Sequence, residues 1–107
     1  MEIIIVYKQE FENKINDLVD ILYSRKYFGF EDYAVEYIEK IYDFIGNKIS
    51  KPISRNTPQP FQKFGKKFLR YKANSHTFWY VFFDQRDDKF LINHILNNHS
   101  QDFPYLI

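Results

Sequence analysis

The chain opens on a short apolar block, Glu2-Ile3-Ile4-Ile5-Val6-Tyr7, rich in β-branched residues and followed by a polar break. That pattern predicts a strand, and its near-continuous apolarity predicts burial on both faces. From Glu10 the period changes: Phe11, Ile15, Leu18, Val19 and Leu22 fall on one side of a helix, with Glu12, Asn16, Asp17 and Asp20 elsewhere, as far as about Arg25 or Tyr27. Gly29 breaks that helix, and Asp32 is the expected N-cap of a second one carrying Ala34, Ile38, Ile41 and Ile45 on its stripe, with Gly46-Asn47 as terminator. Two such helices joined by a few residues predict an antiparallel hairpin.

The segment from Ser50 to Pro60 holds Pro52, Pro58 and Pro60 and reads as a loop. After it the period becomes two. In the strand from Lys66 to Ala73, Leu69, Tyr71 and Ala73 take one face, while Phe68, Arg70 and Lys72 take the other. Asn74-Ser75 is a turn signal, Thr77 to Phe83 reads as a central strand, Asp84 to Lys89 as a turn, and Phe90 to Leu96 as the last strand. The predicted order is β-α-α-β-β-β. It describes one α+β domain over residues 1–107, an antiparallel sheet with the two-helix hairpin packed on one face.

Composition agrees with one folded unit of 107 residues: 45% hydrophobic and 21% aromatic, with only 3 Gly and 4 Pro. The absence of cysteine excludes a disulfide framework, a thiolate metal site and a Cys nucleophile. No apolar run is long enough for a signal sequence or membrane span, so the expectation is a soluble protein with no membrane partner, and a cytoplasmic location is allowed. The three glycines form no phosphate-binding loop, and nothing in the histidine spacing resembles a metal site; neither cofactor nor metal is expected.

The net charge of +1 hides an asymmetry. Residues 1–50 carry 6 Lys/Arg against 10 Asp/Glu, whereas residues 51–107 carry 9 against 4. Between Lys51 and His76 stand 7 basic residues and no acid, a run that focuses positive potential on phosphates or on an acidic protein. Lys66, Arg70 and Lys72 are expected to line one surface with the Phe68 ring among them and Lys63 and Lys67 beside it. Bases would stack on such a ring while phosphates met the cations, a surface suited to single-stranded RNA. The plainer reading is a solvated sheet face that keeps the protein soluble.

Histidine supplies the general acid or base near neutrality. His94 lies within an apolar strand and reads as structural, His76 flanks a turn, and His99, just past the last strand, is the preferred catalytic candidate.

Element order and residues together resemble the RelE/ParE superfamily of bacterial type II toxins. The resemblance is carried by Ile3 to Tyr7, Lys8-Gln9-Glu10-Phe11, Ala34-Val35-Glu36-Tyr37-Ile38, the Pro-bearing loop, Phe64 to Tyr71, Phe78 to Phe83 and Ile92 to His99. It implies a cytoplasmic toxin neutralised by a cognate antitoxin. RelE-like members cleave mRNA in the ribosome as metal-independent endoribonucleases, without a cofactor, using a basic sheet face, an arginine after the last strand and a tail tyrosine. Lys66, Arg70 and Lys72 match the basic face and Tyr105 matches the tail tyrosine, while His99 stands where the arginine is expected. ParE-like members bind and poison DNA gyrase without nuclease activity, and the two long helices here look like that side of the family. A nucleic-acid-binding domain without toxicity is the third reading.

Overall fold

The computed structural model describes residues 2–24, 31–73 and 77–98. The elements are β1 (Ile4–Tyr7), α1 (Gln9–Ser24), α2 (Glu31–Lys48), β2 (Arg55–Asn56), a 3₁₀ helix (Gln59–Phe64), β3 (Lys67–Lys72), β4 (Phe78–Arg86) and β5 (Lys89–Asn97). The five strands form one sheet in the order β1-β5-β4-β3-β2. The last three strands make the expected antiparallel meander, and β1 joins β5 in parallel. This is a mixed α and β chain built on a single sheet. Among the described residues no helix is long and apolar enough to cross a membrane.

The helices cover one sheet face because their apolar stripes meet the odd-numbered positions of β3 and β4. Phe11 and Ile15 of α1, Ile41 and Ile45 of α2, and Ile49 just beyond α2 are buried with Leu69, Trp79, Val81, Phe83, Phe90, Ile92 and Ile95. A ring cluster of Tyr7, Phe11 and Tyr42, with centroids 5.0 to 5.9 Å apart, ties β1, α1 and α2 together. Phe44 of α2 meets Tyr71 of β3 with centroids 4.7 Å apart.

Several boundaries differ from the sequence pattern, each for a physical reason. β1 lies at the sheet edge, so only Ile3, Ile5 and Tyr7 pack on the core while Ile4 and Val6 stay 50% exposed; burial on both faces is corrected. Asp32 falls inside the first turn of α2 rather than at its cap. Gly46 does not terminate α2, which runs on to Lys48. Burial of Ile45 and Ile49 on either side holds the backbone helical at an exposed glycine, outweighing a propensity cost of about 1 kcal/mol. The Asp84–Lys89 turn shortens to Asp87-Asp88, with β4 extending to Arg86. Asp87 takes a positive φ of 55°, as mirror-image hairpin turns require.

The loop before β3 is more structured than its prolines indicate. Arg55 and Asn56 pair with Phe68 and Lys67 as a fifth strand, and a 3₁₀ helix follows. Pro58 precedes that helix and Pro60 occupies its first turn, where a missing N–H costs nothing. At three residues per turn, Phe61 and Phe64 eclipse one another and both lie against the sheet. Their target is the face opposite α1 and α2. Phe61 is buried there with Phe68, Tyr80, Phe82 and Leu96, and Phe64 and Phe78 pack at the margin of this second, smaller core. Gly65 closes the helix at a φ of 150°, so near β4 that a Cβ would stand 2.8 Å from the Phe83 carbonyl oxygen.

Candidate nucleic-acid interface

The face away from α1 and α2 carries the candidate chemistry. Alternation along β3 puts Phe68, Arg70 and Lys72 on this face, and the register with β4 sets Tyr80 beside Arg70 and Phe78 beside Lys72. The Arg70 guanidinium carbon lies 5.3 Å from the centre of the Phe78 ring, and Lys72 Nζ lies 5.9 Å from it. Both are cation–π distances. Arg70 and Lys72 are exposed and Phe78 is half-buried, so one ring is presented beside two cations.

The stacking ring anticipated at Phe68 is therefore corrected. Phe68 is only 5% exposed, and its ring packs 6.1 Å from Tyr80 and 6.0 Å from Phe82. The 3₁₀ helix lays Phe61 over this part of the sheet and removes it from solvent. Phe78, which the pattern placed in the central strand, stands where Phe68 was expected. Only the β3–β4 register reveals this.

The other predicted cations divide. Lys63, exposed on the 3₁₀ helix, has its Nζ 5.1 Å from the centre of the Phe64 ring. Phe64 lies 5.6 Å from Phe82, so Lys63 marks one end of a row of rings whose other end is Phe78 with Arg70 and Lys72. Lys66 precedes β3 and is held through its backbone N–H, which donates to Asp84 Oδ1 at 3.0 Å. Lys67 alternates to the helix side with Leu69 and Tyr71, and does not join Arg70 and Lys72. Lys66 and Lys67 line a hollow together with Asp84 and Gln85. Of the cations expected on one surface, Arg70 and Lys72 meet at the Phe78 ring, Lys63 stands at the far end of the row, Lys66 is exposed just before β3, and Lys67 turns to the other side.

A β-bulge shapes the middle of the face. Phe82 pairs with His94 and Phe83 with Ile92, leaving Asn93 as the extra residue. Asn93 Nδ2 donates to Asp84 Oδ2 at 3.0 Å. The bulge leaves His94 across from Phe82, half-buried, its ring stacked on Phe64 at 3.9 Å and 11°. Burial raises the Tyr80 phenol pKa above the usual 10.0, and the neighbouring Arg70 charge pulls it back in part. Tyr80 is therefore a neutral hydroxyl beside a cation at physiological pH.

His76, His99 and Tyr105, together with the Gly29 break and the Asn74-Ser75 turn, lie outside the described residues. Among the described residues no three His, Asp or Glu side chains converge as a metal site would require. Comparison with protein-family models, with curated proteins and with solved structures finds no match to this chain.

Proposed function

We propose that this protein is a growth-arresting toxin of the RelE/ParE type, acting in the cytoplasm by ribosome-dependent cleavage of mRNA and held inactive by a cognate antitoxin. The observation that carries the reading is the Phe78 ring beside Arg70 and Lys72 on the sheet face that α1 and α2 leave uncovered. An unstacked base lies on the ring while the adjoining phosphates meet the two cations. The β3–β4–β5 meander that follows the helix pair, with that pair packed on the opposite sheet face, is compatible with the same assignment.

In this reading His99, beyond β5, removes the proton from a ribose 2′-hydroxyl. The freed oxygen attacks the adjacent phosphorus to form a 2′,3′-cyclic phosphate, and the P–O5′ bond breaks as the 5′-oxygen takes a proton from the Tyr105 hydroxyl. Arg70 stabilises the charge that gathers on the phosphate oxygens. None of these steps calls on a metal.

The lengths of α1 and α2, 16 and 18 residues, favour one other reading, a ParE-like gyrase inhibitor that binds protein and cuts nothing. Primer extension on cellular mRNA after brief expression separates the two. New 5′ ends that vanish in Arg70→Ala and His99→Ala, with antitoxin binding retained, support cleavage. A DNA-damage response with unchanged mRNA ends supports gyrase, and unimpaired growth under full expression rejects both.

A further inference from the structure

We propose that β1 pairs with β1 of a second copy of this chain, antiparallel and about a two-fold axis at Ile5, joining the two sheets into one. The sheet has two edges, and they differ. β2 at one edge has two residues, Arg55 and Asn56, both exposed, and so is blunted by brevity and charge. β1 at the other edge is Ile4-Ile5-Val6-Tyr7, with neither charge nor proline, and among the described residues no strand flanks its outer side.

The backbone decides which residues such a partner would meet. Ile4 N–H donates to Asp88 O and Lys8 N–H to Ile92 O, both at 2.9 Å, so the even-numbered residues turn their amides toward β5. In a parallel ladder the odd ones, Ile3, Ile5 and Tyr7, then turn theirs outward. An antiparallel partner must pair odd with odd, and centring the pair on Ile5 satisfies this: Ile5 opposes Ile5 of the second copy, and Ile3 opposes Tyr7.

The side chains agree with that register. Ile4 then opposes Val6 in a close, non-hydrogen-bonded pair, and both are 50% exposed in the single chain. Glu2 opposes Lys8, both exposed, giving two opposite-charge pairs by symmetry. The charges around Glu2 leave this pairing unbiased: Arg86 and Lys89 share its hollow with Asp87 and Asp88. Shifting the register by two residues in either direction breaks the charge match and leaves part of the apolar pair uncovered. The axis runs perpendicular to the sheet, so both copies present Arg70, Lys72 and Phe78 on the same side of the assembly.

The test is sedimentation of the full chain over a concentration series, with circular dichroism to verify folding. Wild type is expected to dimerise. Glu2→Lys and Lys8→Glu, each alone, place like charges opposite one another twice per dimer and weaken association by about tenfold or more. An equimolar mixture of the two variants is expected to regain the dimer, because each chain brings the sign its partner lacks, and the double variant Glu2→Lys/Lys8→Glu regains it unaided. A wild type that stays monomeric at every concentration overturns the proposal. So does a dimer indifferent to the single reversals, or two folded variants that fail to rescue one another.

Discussion

The indole N–H of Trp79, second residue of β4, donates to the Tyr37 hydroxyl on α2 at 2.8 Å. Trp79 is fully buried, and the two rings meet nearly edge-on at 5.8 Å. One bond therefore satisfies the only polar atom of the largest core side chain while fixing the height of α2 above the sheet. Tyr37→Phe keeps the ring and removes the acceptor, leaving a buried donor unpaired, and is expected to cost about 1–3 kcal/mol. Urea titration followed by fluorescence of the sole tryptophan measures it; an unchanged midpoint would show that the bond contributes nothing.

Alkaline pH reaches the same region. Burial raises the phenol pKa of Tyr7, Tyr37, Tyr42 and Tyr80 above 10.0; at Tyr37, hydrogen bonds from Trp79 and Thr77 pull the other way without cancelling it. A folded-state pKa above the unfolded one means the folded chain holds its protons longer. The resulting stability is fully present below the unfolded value of 10.0 and is lost as pH rises through the folded values. Unfolding free energy should fall across that window, with tyrosinate absorbance growing more steeply than for four exposed phenols. An early, shallow tyrosinate titration would contradict it.

Two glycines separate backbone need from mere tolerance. Gly65 approaches the Phe83 backbone within 2.8 Å of a would-be Cβ at a φ of 150°, so Gly65→Ala should cost about 2 kcal/mol or more and unseat Phe64 from His94. Ring-current shifts of the His94 protons report the second effect. Gly46 has open space around it inside α2, and Gly46→Ala should stabilise by about 0.5–1 kcal/mol. Equal responses at the two positions in thermal melts would refute the distinction.

Phe68 and Phe78 should part in the same way. Phe68→Ala empties a buried site and is expected to destabilise by about 3–5 kcal/mol. Phe78→Ala, at the margin of that core, should unfold far less readily while weakening single-stranded RNA binding by about 1–3 kcal/mol. Fluorescence anisotropy with a short labelled RNA, beside a melt of each variant, checks both halves. Undiminished RNA affinity in folded Phe78→Ala would remove the ring from the interface.

The sequence by itself determined β1, the two helices, the three-stranded meander and the main core, because helical and strand periods are local properties. The stripe Phe11, Ile15, Ile41, Ile45 and the alternation Leu69, Tyr71 against Arg70, Lys72 both persist in the fold. Relations between distant segments were decided only by tertiary structure. The bulge at Asn93 lets Ile92 and Ile95, three residues apart, enter the same core, which a strict period of two forbids. The 3₁₀ helix hidden in a proline-rich stretch buries Phe68, and the β3–β4 register delivers Phe78 to the cations in its place. Which side chains share a surface depends on strand pairing and on what the connecting chain covers. Neither is encoded in the spacing of residues within one segment.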